Sequence, residues 1–381
     1  MLKVAKRGTI APFIVMDVLA AANERAAKGA DVLHLEMGQP GSGTPRGVIA
    51  AAAAALGADP LGYTEALGLR ALRRRIAQYY RDTYGVAVDP ARVVVTTGSS
   101  GAFVLAFLAA FEPGDRVAIA DPSYPAYRNI LTALGVTAVP LLAGAETRFQ
   151  PTVALIAALD PPPDGLIVQS PSNPAGTMID DAELARLARY CRANGIRFVS
   201  DEIYHGIAFA RACPTALAAD PQAIAINSFS KYFSMTGWRI GWMVCPDDLA
   251  RAVECLAQNF YISPPTLSQL AALAVFDCAD ELRANVARYQ ANRALLLARL
   301  PGAGFDRIAP SDGAFYLYAD VARLTNDSDA FCAKMLAETG VATAPGIDFD
   351  PARGRAYLRF SFAGATEDMA RACDRLEKWA R

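Results

Sequence analysis

Between residues 92 and 245, seven short β-branched runs alternate with helix-like stretches: RVVVTT (92–97), RVAIA (116–120), VTAVPL (136–141), GLIVQS (165–170), IRFVS (196–200), AIAINS (223–228) and IGWMVC (240–245). Several are apolar throughout instead of alternating, as strands covered on both faces must be. The pattern therefore predicts a mostly parallel sheet with crossover helices. Ligands of such sheets bind at the carboxyl ends of the strands. The polar connections GSSG, DPSYP and SPSNPAG fall there.

After Pro264 the pattern changes to a long helical stretch reaching about Leu300, then strands GAFYLYAD and RAYLRFSFA around a helix from Ser328 to Thr339, and a last helix from Thr366. The fold class is α/β: a large three-layer domain with a mostly parallel sheet, plus a smaller α+β domain formed by the N-terminal segment and the C-terminal third. The expected division is 1–45, whose helix at about 14–28 packs with the small domain, 46–285 for the large domain, and 286–381 for the small one.

Composition narrows the function. The formal net charge is −1 and no block of like charge occurs, which argues against nucleic acid and anionic membranes as partners. No apolar run is long and unbroken enough to cross a bilayer, and the N-terminal apolar stretch is interrupted by Pro12 and Asp17, unlike a signal peptide. The seven cysteines include no CxxC pair, so neither a zinc module nor a disulfide framework is expected, and a cytoplasmic location is. The two histidines, His34 and His205, lie in no supporting motif, and His205 reads as a hydrogen-bonded structural residue. No metal site is expected.

Of six lysines, Lys3, Lys6, Lys28, Lys334 and Lys378 sit near the chain ends among charged neighbours, whereas Lys231 lies in SFSKYFSMTGWRIGW (228–242). Other strand ends add groups that suit one site. TTGSSGA ends a strand and opens a helix, so the N–H groups of Ser99, Ser100 and Gly101 could hold a phosphate, or a serine could simply cap the helix. SPSNP puts Asn173 on an extended loop with its amide available, or is merely a turn. SDEIY ends a strand with Asp201, an acid that needs a cationic partner when buried, and offers Tyr204 three residues on. Ser228, Ser230 and Arg239 suit a phosphate. Together these loops supply a phosphate cup, an acid for a ring nitrogen, donors for a ring oxygen and one nucleophilic lysine, which are the requirements of pyridoxal 5'-phosphate.

SFSKYFSMTGWRIGW resembles the lysine signature of the class I and II aminotransferases, of pyridoxal-phosphate fold type I. LEMGQP, GYTEALGLRALRRRIA (62–77), VVVTTGSSGAF, DPSYPAY, SPSNPAG, SDEIYHGIAF and YLRFSFA (357–363) follow that family's order along nearly the whole chain. The resemblance implies that Lys231 carries the cofactor and Asp201 faces its pyridine nitrogen, with Tyr204 completing the catalytic set. It implies that Asn173 and Tyr204 contact the ring oxygen, that Ser99, Ser100, Gly101, Ser228, Ser230 and Arg239 hold the phosphate, and that Tyr124 stacks on the ring. Arg359, with Gly38 and Asn173 nearby, is assigned to the substrate α-carboxylate. Tyr63 is assigned to the phosphate of a neighbouring subunit, which implies a homodimer. By the same likeness the Asn173–Pro174 bond is expected to be cis.

The activity implied is transfer of an amino group between an L-amino acid and a 2-oxo acid. A carbon–sulfur β-lyase on the same scaffold, an aspartate aminotransferase and a pyridoxal-phosphate-binding regulator are the rivals. Relatives that prefer aspartate use a second cation for its side chain. The matching positions here are Gln258 and Ser100, neither cationic, and the pocket is expected to include Phe13, Ile14 and Tyr261. Neutral or aromatic donors are therefore expected over aspartate, with 2-oxoglutarate accepted only if an arginine such as Arg128 swings in.

Overall fold

The computed structural model describes residues 2–380. All seven predicted runs form strands of one sheet: β1 (Val93–Thr96), β2 (Arg116–Asp121), β3 (Thr137–Leu142), β4 (Gly165–Gln169), β5 (Arg197–Asp201), β6 (Ile224–Ser228) and β7 (Gly241–Val244). Their order is β1-β7-β6-β5-β4-β2-β3, and every pairing is parallel except the two made by β7. Strands β1, β4, β6 and β7 are buried at every position, whereas the edge strand β3 alternates, as cover on one side dictates.

Successive side chains of a strand point to opposite faces, and here they feed two separate cores. Val93, Val95 and Trp242 pack with α2 (Arg46–Ala58), α3 (Arg70–Tyr84), α6 (Asp181–Ala193) and α8 (Thr266–Val275). Val94, Val199 and Met243 pack instead with α4 (Gly98–Ala110), α5 (Pro125–Leu134) and α7 (Asp247–Tyr261). The result is helix, sheet, helix.

A third core belongs to the C-terminal part. Helix α9 (Ala279–Arg299) runs unbroken from one part to the other: Leu282 packs in a core of the sheet, Tyr289 and Leu296 in the third core. There an antiparallel sheet, in the order 344–345, 357–361, 316–320, 307–308, packs with α10 (Ser328–Thr339) and α11 (Thr366–Trp379). The N-terminal helix α1 (Ile14–Ala27) joins this part. Val15 packs with Ala344 and Phe349, and Ala22 with Leu336 and Ala342. No helix among the described residues is long and apolar enough to cross a membrane.

Candidate active site

Because β7 runs against the parallel strands, its amino end lies beside their carboxyl ends. Together these ends open on one cavity of about 780 Å3, its mouth included. Lys231, Asp201, Tyr204, Ser99, Ser100, Tyr124, Asn173, Ser230, Arg239, Arg359 and Gly38 all line it; Gly101, Ser228 and Tyr63 do not. Gly101 lies in the first turn of α4, where a Cβ would come within 2.6 Å of Thr97 Oγ1. Ser228 is fully buried beneath Ser230, their hydroxyls 2.9 Å apart. Tyr63 is 82% exposed, away from this cavity.

Asp201 ends β5 and is 2% exposed. Its Oδ2 accepts from Gln169 Nε2 at 2.8 Å and from the Tyr127 hydroxyl, and its Oδ1 accepts from Ile203 N at 3.0 Å. Burial pushes this carboxyl up to about 6, while those donors and Lys231 pull the other way. Lys231 is half-buried and donates from Nζ to Gly38 O at 2.6 Å. Burial, then the charges of Arg239 and Arg359, bring its amine down to about 8. A lysine so placed is uncharged far more often at neutral pH than one in water.

The first-turn N–H groups of an α-helix have no partner within it. At α4 the preceding Thr97 provides no side-chain cap. Gly98, at φ +73°, lets Arg239 in: a Cβ there would lie 2.5 Å from Arg239 Nη2. Arg239 donates to Thr236 O at 3.0 Å and pairs with no carboxylate among the described residues. Helix amides, serine hydroxyls and an unpaired guanidinium make a site for a dianion. Arg359, 1% exposed, is a second such cation. It donates to Asn173 Oδ1 at 2.7 Å and to Glu36 O, lies 4.4 Å from the Tyr316 ring centre, and keeps Nε without a partner. A buried guanidinium with spare donors and no counter-ion calls for an anionic ligand. These residues therefore fit pyridoxal 5'-phosphate and the carboxylate of an amino acid. The Asn173–Pro174 bond is cis.

Residues 30–376 match the family model "Aminotransferase class I and II". The chain belongs to this family. It is a pyridoxal-phosphate-dependent aminotransferase of fold type I. A valine–pyruvate aminotransferase of Mycobacterium tuberculosis is 52% identical over 99% of this chain and 98% of its own. A crystal structure of an aminotransferase from the same organism superposes with a TM-score of 0.98 at 52% identity, covering 100% of this chain and 99% of that one. The aspartate aminotransferase of Thermus thermophilus with maleate superposes with a TM-score of 0.93 at 30% identity, over 99% of this chain and all of its own.

Several wall residues of this aminotransferase went unread in the sequence. Gln169, Met37, Val15, Met16 and Tyr316 line the cavity, and Tyr316 Oη lies 2.6 Å from Tyr204 Oη. Gly38 packs so closely on Tyr316 that a Cβ would lie 2.0 Å from the Tyr316 hydroxyl. Phe13 lines the cavity as expected, but Ile14 and Tyr261 do not. Arg128 is absent from the wall too. It donates to Asp348 O at 3.1 Å and sits 3.7 Å from Asp121, so the swinging arginine of the sequence reading is held elsewhere. Gln258 is exposed on α7. His205 is structural: it lies buried between the Tyr84 hydroxyl and Ser170 O, and burial brings its imidazole down to about 3.

Proposed function

We propose that the enzyme takes the amino group of a neutral aliphatic L-amino acid of the valine class and delivers it to a small 2-oxo acid such as pyruvate. One observation carries this reading. The cations lining the cavity are Lys231, Arg239 and Arg359, and each already has a task, so none is left for a second carboxylate. The remaining wall toward α1 is Phe13, Val15, Met16 and Met37, which favours an apolar side chain. The name of the relative that is 52% identical, a valine–pyruvate aminotransferase, supports the same substrates. The relatives are transaminases, so β-elimination is not favoured.

When bound, pyridoxal 5'-phosphate supplies an aldehyde for the amino group and a pyridinium ring that accepts the electron pair released at the substrate α-carbon. The roles expected of the site residues form part of this proposal, except that Ser228, buried and outside the cavity wall, supports Ser230 instead of touching the phosphate. Lys231, with its amine brought down to about 8, takes and returns the proton at that carbon. Asp201 would face the ring nitrogen with a negative charge, and the amide of Asn173 and the hydroxyl of Tyr204 would donate to the ring oxygen. Ser99, Ser100, Gly101, Ser230 and Arg239 hold the phosphate, with Ser228 fixing Ser230, and Tyr124 packs on the ring. Arg359 grips the α-carboxylate beside Gly38, which fixes which α-bond faces the base.

Residues 1–45 and 286–381 would then form the small domain over the large one. A cytoplasmic homodimer completes the reading: all seven cysteines are free thiols, and Tyr63, Phe260 and Ile262 are exposed, with Thr64 N donating to Ser263 Oγ between the two segments that carry them. A monomer in light scattering would refute the dimer. The substrate reading is tested by a panel of donors and acceptors. Valine, leucine and methionine should exceed aspartate in kcat/KM, and pyruvate should exceed 2-oxoglutarate, each by at least about tenfold, because a side-chain carboxylate left unpaired costs several kcal/mol. Aspartate outrunning all three neutral donors would overturn it.

A further inference from the structure

Gln169 and Asp201 are the last residues of adjacent parallel strands and face each other in register. The Gln169 side chain, 8% exposed, uses both ends of its amide. Nε2 donates to Asp201 Oδ2 at 2.8 Å, and Oε1 accepts from the Asn173 backbone N–H at 2.8 Å. Tyr127, 1% exposed on α5, donates its hydroxyl to the same Oδ2. A single neutral side chain thus joins the acid at one strand end to the loop carrying Asn173 at the next.

We propose that Gln169 is a positioning residue that locks Asp201 and Asn173 into one rigid unit, with Tyr127 as the second clamp on the same carboxylate oxygen. The proposal rests on the reading that Asp201 and Asn173 face the cofactor ring. Without donors on Oδ2, a carboxylate this deeply buried turns about its Cβ–Cγ bond and its anionic form loses support. The ionisable groups facing Asp201 are Lys231 after β6, Tyr124 and Tyr127 from the segment after β2, and Glu202 and Tyr204 next along its own chain. Of these, Lys231 alone can offer a compensating positive charge, so the neutral clamps set how firmly the negative charge is held.

The decisive variant is Gln169→Glu, which keeps the side-chain length and the oxygen that accepts from Asn173 but sets a carboxylate oxygen against Asp201 Oδ2. Gln169→Met removes both bonds, and Tyr127→Phe removes the second donor while keeping the ring in the core. Three readouts are taken: the dissociation constant of pyridoxal 5'-phosphate from the apoenzyme, the pH titration of the visible band of the bound cofactor, and kcat with KM. Gln169→Glu and Tyr127→Phe should each weaken cofactor binding and lower kcat by about 10- to 100-fold, the worth of one hydrogen bond to a charged group. The band should titrate at a changed pH in both variants, and the KM for the amino acid should stay within about threefold, since no substrate contact is removed.

Asp201→Asn is the control. If it binds and turns over like the wild type, the reading of Asp201 fails and the positioning role goes with it. If Asp201→Asn is crippled while Gln169→Glu and Tyr127→Phe keep the wild-type titration and cofactor affinity, the positioning role alone is overturned. Should Gln169→Glu not fold, Tyr127→Phe and Gln169→Met decide by the same readouts.

Discussion

The floor of the cavity, made by strand ends of the large sheet, holds its acid, Asp201, by three donors from its own neighbourhood. The roof, made by α1, the strap around Gly38 and the small domain, holds Arg359 between two aromatic rings, 4.4 Å from Tyr316 and 4.7 Å from Phe349, with a donor unused. In the floor, Asp201 and Lys231 oppose each other in sign and each shifts the other toward its charged form. In the roof there is a lone cation and an apolar wall. The floor has its own cation without a counter-ion among the described residues, Arg239 beside the uncapped start of α4, which in the proposed reading is taken up by the phosphate of a cofactor that stays bound. A roof left with an unpaired guanidinium gains most when an anion enters and is released, which suits a substrate exchanged on every turnover.

The contrast breaks most sharply at Lys231. The sequence offers no second lysine near the cavity, so in Lys231→Ala the visible band of the bound cofactor should vanish and turnover should fall by more than about 10^4-fold, through loss of both attachment and proton transfer. Absorption spectroscopy of the reconstituted variant is the check. A band at wild-type position and intensity would put the attachment elsewhere.

A smaller effect is expected at the roof. With Arg359 gripping the α-carboxylate as proposed, Arg359→Leu would remove two or more charge-assisted hydrogen bonds and should raise the KM for the amino acid by about 10^2-fold, with the cofactor still bound. Arg359→Lys should recover little of this, because an ammonium reproduces neither the planar fork nor its packing against Tyr316 and Phe349. Steady-state kinetics separate the cases: an unchanged KM in both variants would move the carboxylate site away from Arg359.

The two regions also differ in how legible they were. Floor groups stand at the ends of buried strands, and although Asn173 alone read equally as a turn, Asp201, Asn173, Ser230 and Lys231 taken together pointed to one site. The α10 boundaries expected from the sequence, Ser328 to Thr339, are those observed, because an acid precedes the helix and Gly340 follows it at φ +72°. Gln169 carried the same signal as Asp201, a polar end to a buried strand, and was passed over because an amide suggests no chemistry by itself. Tyr127 lay hidden in a helix that reads as core. The roof was harder. Phe13 was expected in the pocket, but Val15 and Met16 precede the sheet by about eighty residues, and nothing in their local pattern distinguishes a pocket wall from a helix face packed on the small domain. Arg128, close to Tyr124 in sequence, is held away from the cavity wall by Asp348 O and Asp121.

The smallest effect tests whether roof and floor act on each other. Lys231 is brought down to about 8 by burial, then by Arg239 and Arg359, so the apoenzyme carries an ammonium below that pH and a free amine above it. Only the amine attacks the cofactor aldehyde. The rate of cofactor attachment should therefore rise with pH and level off above about 8, growing roughly fivefold between pH 7 and 8 as the neutral fraction goes from about a tenth to a half. Removing one positive neighbour relieves repulsion on the ammonium, so Arg359→Leu should move the midpoint to higher pH and slow attachment at pH 7, although Arg359 is assigned to substrate and not to cofactor. Stopped-flow mixing of apoenzyme and pyridoxal 5'-phosphate across pH 6 to 9 reads both profiles. Coincident profiles would show that the roof cation does not reach the floor lysine, and a flat wild-type profile would place its ionisation outside this range.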